Sequence, residues 1–232
     1  MNYHPDDVVV ITPLYNEAHH LNTLLTSIKQ AGLKKMIFGI SPNSTDDTKL
    51  ILHQAGIFYT MPKEDGYDFA IESALDQLEE VYPETKLVLF SEAHQIYDKQ
   101  TIEKFLQKIA EGADLVMGIH KNSHSSSNWF EKIGTKLIIF PLQIFFRRKI
   151  RDISPFRMVR RELIQKFNLE PKKYRLPTEM IVKSLAMNLN IIELPVSTQE
   201  ISHEAPDVAS LIEKNTDPIS ALQFINFKPQ ES

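Results

Sequence analysis

The chain has 232 residues, 26 Lys and Arg against 30 Asp and Glu, 42% hydrophobic residues and no cysteine. That length suits one domain able to bury a sizeable core, and 24% charge with this apolar content excludes a disordered or fibrous protein. The missing cysteines exclude a disulfide scaffold, a thiolate zinc site and a cysteine nucleophile, and the 7 glycines are under half the usual share of about 7%.

Met1 to Asp7 carries neither a basic stretch nor an apolar run, so no signal peptide is expected and a cytoplasmic protein is the default. Val8 to Ile11 reads as a buried strand, and Leu21, Leu24, Leu25 and Ile28 then recur at helical spacing. His19 and His20, at the start of that helix, are expected to face solvent. Met36 to Ile40 is a second strand, after which Ser44 and Asp47 read as the cap and first turn of the next helix. Ile57 to Thr60 is a short third strand, and Ala70, Ala74, Leu75 and Leu78 mark one helix face. Leu87 to Phe90 and Leu115 to Met117 are two further strands, separated by a helix carrying Ile102, Phe105, Leu106 and Ile109. Five strands alternating with helices predict an α/β protein with a mostly parallel sheet covered on both faces. In such a sheet the ligand lies beyond the carboxyl ends of the strands. The segments to inspect are therefore Thr12 to Glu17, Ser41 to Thr48, Lys63 to Asp68, Ser91 to Gln95 and Ile119 to His124.

Beyond residue 120 the pattern changes. Trp129 to Phe146 is an apolar helix candidate, and the longest apolar stretch, Leu137 to Phe146, is interrupted by Pro141 and Gln143 and falls well short of the about 20 residues that span a bilayer. From Phe145 to Arg161 there are seven basic residues and one acidic, a net of +6, while the rest of the chain sums to −10. That asymmetry points this face at an anionic partner. The segment from Leu137 to Lys149 has the make-up of an interfacial helix on anionic lipid, or of a contact packed on the sheet or on a second copy of the chain. Residues 202–232 read as a C-terminal arm.

Val8-Val9-Val10-Ile11-Thr12-Pro13-Leu14-Tyr15-Asn16-Glu17 resembles the opening of family 2 glycosyltransferases of the GT-A fold, whose first strand ends in Pro-x-Tyr-Asn-Glu. Three later segments match in register. They are Gly112 to Gly118, Arg151-Asp152-Ile153-Ser154-Pro155-Phe156-Arg157, and Ile191 to Val196 with Glu179 on the preceding helix. The resemblance covers about residues 8 to 200 and is closest to the polyprenyl-phosphate (dolichyl-phosphate mannosyltransferase-like) branch. It implies one GT-A domain over residues 1–201, with a nucleotide-binding half (1–120) and an acceptor half (121–201). It also implies a nucleotide-sugar donor held by Pro13, Tyr15, Glu17, Ser41, Asn43 and Gly66. Arg157 would clamp the diphosphate, with Asp152 orienting it or meeting the acceptor and Glu179 as a further catalytic group.

Three motifs depart from the family's pattern. Ser41-Pro42-Asn43-Ser44 stands where Asp-Asp-Gly-Ser is usual, and Asn43 is expected to take the left-handed turn of that glycine. Asp68 and Glu72 bring acidity where the pyrophosphate normally lies, unless they form a solvated helix start. Glu92-Ala93-His94 replaces the metal-binding Asp-x-Asp. An oxygen and an imidazole two residues apart suit Mn²⁺ or Mg²⁺ less tightly, with His120 and His124 as further candidate ligands.

Two functions follow from the resemblance: transfer of a sugar to an acceptor such as a polyprenyl phosphate, on a protein peripheral to the inner face of the membrane; or a catalytically degenerate relative serving as a binding or assembly module. A nucleotidyltransferase on a related sheet would want a glycine- and lysine-rich first turn, which Pro13 to Glu17 is not. A nucleic-acid partner is not expected, and a homo-oligomer is compatible with the pattern.

Overall fold

The computed structural model describes residues 2–93, 95–96, 98–120, 139–170, 176–196 and 199–200. After a single turn at Pro5–Asp7, the elements in chain order are β1 (Val8–Leu14), α1 (Ala18–Gln30), β2 (Lys35–Ile40), α2 (Thr48–Gln54) and β3 (Tyr59–Thr60). There follow α3 (Tyr67–Asp76), α4 (Leu78–Val81), β4 (Leu87–Phe90), β5 (Gln95–Ile96), α5 (Lys99–Ala110) and β6 (Leu115–His120). The second half comprises helical residues 139–146 (α6), β7 (Arg157–Arg160), α7 (Arg161–Phe167), α8 (Leu176–Ala186), β8 (Ile191–Val196) and β9 (Gln199–Glu200).

Seven strands form one sheet in the order β3-β2-β1-β4-β7-β6-β8. The pairs β2–β3, β1–β2, β1–β4 and β6–β8 are parallel. β7 runs antiparallel between β4 and β6. The α/β architecture and the mostly parallel sheet match the sequence expectation. The five expected strands are all present, with β7 inserted between β4 and β6 and β8 added at the far edge.

Alternate residues of β1 feed two separate cores. Val8 and Val10 pack with Leu21, Leu24 and Ile28 of α1, Leu52 of α2 and Phe105 and Ile109 of α5. Val9 and Ile11 face the other layer, with Ile71 and Ala74 of α3, Leu142 of α6, Phe167 of α7 and Met180 and Ile181 of α8. Burial on both faces is why parallel strands read as unbroken apolar runs rather than as alternation.

From β1 the chain places β2 and β3 on one side and then crosses to β4 on the other, so its direction reverses between β1 and β4. The β1–β4 ladder ends at Ile11 and Phe90, with a last bond from Ser91 N to Ile11 O at 3.1 Å. Pro13 lies beyond that point and therefore sacrifices no bond to β4. β1 continues through Leu14 paired only with β2, which opens a crevice at this end of the sheet.

The scarce glycines include one at a close approach. A Cβ at Gly39 would lie 1.9 Å from the carbonyl oxygen of Ala70, so α3 can sit on β2 only because this position has no side chain. Gly39→Ala is expected to destabilise the fold by about 1–3 kcal/mol, as overpacking against rigid backbone does. Urea unfolding measures this, and an unchanged midpoint would show that α3 rides further from the sheet.

Candidate functional site

The site is built at the carboxyl ends of β1, β2 and β4. Its frame is a clasp between the loop after β1 and the loop after β2. Asn16 adopts a left-handed φ of 53°, and its Oδ1 accepts from Thr45 N at 2.8 Å. In return Ser44 Oγ accepts from Asn16 N at 2.8 Å, Thr48 Oγ1 from Glu17 N at 2.9 Å and Asp46 Oδ2 from Ala18 N at 2.8 Å. Asp46 Oδ1 also accepts from Thr48 N at 3.1 Å. One short stretch after β2 thereby accepts from three successive amides that lead into α1.

Two sequence expectations change here. Ser44 does not cap its own helix, because its hydroxyl serves Asn16 while Asp47 holds the N-cap position of α2. The left-handed residue is Asn16 rather than Asn43. Ser41 Oγ accepts from Asn43 N at 3.1 Å and makes the bend without a positive φ.

Tyr15 stands at the rim, 52% exposed, beside Ser41, whose amide continues the ladder to Leu14 O at 2.9 Å. Ser41 is buried and donates its hydroxyl to the carboxylate of Asp65, on the exposed loop ahead of α3. Asn43 is exposed on the same rim. Glu17 pairs with His20, Nδ1 to Oε2 at 2.6 Å, and both are largely buried, so of the two adjacent histidines only His19 faces solvent. Gly66 has a φ of 145°, which an L side chain rarely adopts, and N-caps α3.

Across the crevice, the buried hydroxyls of Thr12 and Ser91 meet at 2.5 Å and tie β1 to β4 at its floor. Glu92 follows Ser91, half-buried. His94 and His124 lie outside the described residues, and His120 ends β6. Among the described residues no group of three or more His, Asp or Glu is gathered as a metal site.

The acidic pair on α3 behaves differently from either sequence expectation. Asp68 is fully buried, and its Oδ2 accepts from Leu176 N at 3.2 Å, binding the start of α3 to the start of α8. Glu72 is half-buried, and burial, with the charges of Asp76, Glu64 and Asp68, raises its carboxyl above the usual range.

Arg157, expected on the diphosphate, is 1% exposed. Its Nη1 donates to Pro177 O at 2.7 Å and its Nη2 to Ser154 O. The side chain lies under the rim and orders the loop before β7 and the first turn of α8. Asp152 is half-buried on that loop, with Oδ1 accepting from Ile153 N at 2.7 Å. Glu193 of β8 holds the same loop, Oε1 accepting from Arg151 N at 2.7 Å and Asp152 N at 3.4 Å. Burial nevertheless raises the Glu193 carboxyl. Glu179 is completely buried, 2.5 Å from Lys183 Nζ, and accepts from Glu170 N at 3.2 Å. Burial raises its carboxyl too, against the pull of Lys183. Lys183 also donates to Asn168 O at 2.7 Å, so the pair anchors the turn after α7.

Sequence reasoning named the segments at the rim but missed Asp46, Thr48, Asp65 and His20 as contributors. Ser44 and Asp47 read as the cap and first turn of α2, and nothing in a single sequence says that Asp46 and Thr48 accept from amides of the loop after β1.

A family model for glycosyl transferase family 2 matches residues 9–167, from β1 through α7. The chain belongs to glycosyltransferase family 2. It is 27% identical to an uncharacterised glycosyltransferase of Mycobacterium tuberculosis, across 83% of this chain and 85% of that protein. It is 23% identical to a dolichyl-phosphate hexose transferase of Haloferax volcanii, across 86% of each. The fold matches glucosyl-3-phosphoglycerate synthase from M. tuberculosis, crystallised with Mn²⁺, UDP and phosphoglyceric acid. That match has a TM-score of 0.71 at 16% identity, covering 95% of this chain and 79% of the other. This family 2 member therefore has the GT-A fold expected from its first strand.

The clasp makes a testable pH statement. Burial alone would raise the Asp46 carboxyl, but hydrogen bonds from Thr48 and Ala18 outweigh it and hold the group below the usual aspartate range. Its contribution is thus present above the unfolded value of about 3.9 and is lost as pH falls through the lower folded value. Asp46→Ala is expected to cost about 1–2 kcal/mol at pH 7, and the wild-type and variant stability curves should converge on acidification. Curves that stay parallel from pH 7 to below about pH 3 would refute this role.

Proposed function

We propose that this family 2 glycosyltransferase transfers a sugar from a nucleotide-sugar donor to a phosphorylated lipid acceptor. The observation that carries the donor half is the clasped crevice between β1 and β4, with Tyr15, Ser41 and Glu92 at its rim. The UDP and Mn²⁺ in the structural neighbour support a nucleoside diphosphate and a divalent cation here. Glu92 and His94 are the pair in this chain that would hold the cation, an oxygen and an imidazole donor completed by substrate phosphates. When bound, the cation supplies charge stabilisation for the departing diphosphate.

In the transfer, an acceptor oxygen forms a bond to the anomeric carbon while the bond from that carbon to the diphosphate breaks, its electron pair leaving with the nucleotide. A phosphate acceptor is already ionised near neutral pH, so no strong base is required of the chain. Asp152, on the loop held by Glu193 and Arg157, is the carboxylate placed to meet the acceptor side. Arg157 and Glu179 act as positioning residues beneath it. The nucleotide is assigned to residues 1–120 and the acceptor to residues 121–201.

Titration of UDP, GDP and their sugars with and without Mn²⁺ tests the donor half. Metal-dependent binding is expected, weakened at least about tenfold in Glu92→Ala and in His94→Ala. An absence of binding to every nucleotide would replace the transferase by a binding or assembly module.

The lipid half is supported by α6 and by the named dolichyl-phosphate relative. Ile139 and Leu142 of α6 are buried, whereas Phe140, Ile144 and Phe145 are 63%, 62% and 56% exposed. Exposed Arg147, Lys149 and Arg151 follow directly. Among the described residues no helix is long and apolar enough to cross a membrane. An exposed apolar face followed by exposed basic residues is the make-up of an interfacial segment on anionic lipid, and it is this that supports the lipid reading. Residues 121–138 and 201–232 lie outside the described residues. The protein is expected to pellet with phosphatidylglycerol vesicles and not with phosphatidylcholine alone. Arg147→Gln with Lys149→Gln, and separately Phe140→Ser with Phe145→Ser, should abolish pelleting. Unchanged pelleting in both pairs removes the membrane from the reading.

A further inference from the structure

The geometry points to Asp65 as the residue that reads the nucleotide base, selecting a base that carries an imino N–H, as uracil and guanine do. The inference rests on the donor reading above and adds to it a residue outside every motif used to reach it.

Three observations converge. First, the hydroxyl of Ser41 is directional. The amide of Asn43 can only donate, so Ser41 Oγ accepts there at 3.1 Å and its own proton is committed to Asp65. Second, that contact holds in place a carboxylate that is itself exposed and comes from a different loop, 24 residues further along the chain. Ser41 fills one of about four acceptor positions on a carboxylate, leaving capacity for a ligand. An exposed aspartate gains little stability from such a contact, since two residues later α3 begins and its N-terminal dipole would favour the same charge without Ser41. Third, Tyr15 stands next to Ser41 across the β1–β2 ladder and is 52% exposed, although it is a large aromatic at the mouth of a crevice. A flat apolar face beside an oriented acceptor is what a planar heterocycle with a donor on its edge requires: stacking is indifferent to the base, and the edge contact supplies the choice.

The carboxylate expected at Ser41 or Pro42 is thus supplied from the loop after β3, with Ser41 as its bracket. A charged acceptor rewards the imino N–H of uracil or guanine. It is repelled by the ring-nitrogen lone pairs that cytosine and adenine present at the corresponding edge.

The test is calorimetric titration of the whole protein with UDP, GDP, CDP and ADP in the presence of Mn²⁺, repeated with Asp65→Ala, Asp65→Asn and Ser41→Ala. Wild type is expected to bind UDP or GDP roughly tenfold or more tightly than CDP and ADP. Asp65→Ala should remove that preference without weakening CDP or ADP, and Asp65→Asn should shift it toward CDP, whose ring nitrogen accepts from an amide. Ser41→Ala should give an intermediate loss, since the carboxylate remains but is no longer held. Asp65 is exposed, so its variants are expected to keep the wild-type melting temperature. A wild-type preference that survives in Asp65→Ala, an equal loss for all four nucleotides, or a wild type that binds all four alike would overturn the assignment while leaving the donor reading intact. A wild type that binds none of the four fails at the earlier step and removes both.

Discussion

The site depends on the exchange of hydrogen bonds between the first two strand-to-helix loops. A parallel sheet leaves each loop at its carboxyl edge with unsatisfied amides, because every helix that follows a strand opens with N–H groups that have no internal partner. Here the loop after β2 answers that need for the loop after β1. Ser44, Thr48 and Asp46 accept from Asn16, Glu17 and Ala18, and Asn16 accepts in return. The consequence is positional. Tyr15 and Ser41 lie at the ends of adjacent strands whose loops are tied to each other by these bonds.

The opposite rim is held by different means. The loop before β7 hangs between Glu193 of β8 and the buried guanidinium of Arg157, which also fixes the first turn of α8. Asp68 adds a bond from α3 to that same turn. Burying a charge is costly unless its hydrogen-bonding capacity is met. Arg157 meets it on two backbone carbonyls, Ser154 O in the loop before β7 and Pro177 O in the first turn of α8. The buried Glu179–Lys183 pair does the same for the turn after α7. These charges are spent on ordering the chain around the loop before β7 and the turn after α7.

How far the sequence could be read follows from these particulars. β1, β2, β4 and β6 were visible because strands buried on both faces must be apolar throughout. β7 was not, because it carries arginines at both ends, one turned into the second core layer and the other, Arg160, donating to Ala113 O and Tyr3 Oη. The motif around Asp152 to Arg157 identified the family while concealing where its arginine points, since a motif fixes residue types and spacing but says nothing about which carbonyls lie within reach. The start of α2 departs from expectation for a related reason: Ser, Thr and Asp near a helix start announce capping, and only the folded chain shows that Ser44 serves the loop before α1 and that Asp46 is shared between the starts of α1 and α2.

The low glycine count has a physical counterpart in this design. Glycine gives a chain close backbone approach and free turns, at the cost of entropy on folding. This chain uses Asn16 for its left-handed turn and the Ser41 hydroxyl for its bend. It keeps glycine where no side chain can stand, at Gly39 beneath α3 and at Gly118, where a Cβ would lie 2.5 Å from the ring of Phe156. Side chains in place of glycine make a turn more rigid and add hydrogen-bonding groups at its surface. The Ser41 hydroxyl makes both the bend at Asn43 and the bracket that holds Asp65, so residues 41–43 and the carboxylate at 65 form one hydrogen-bonded unit.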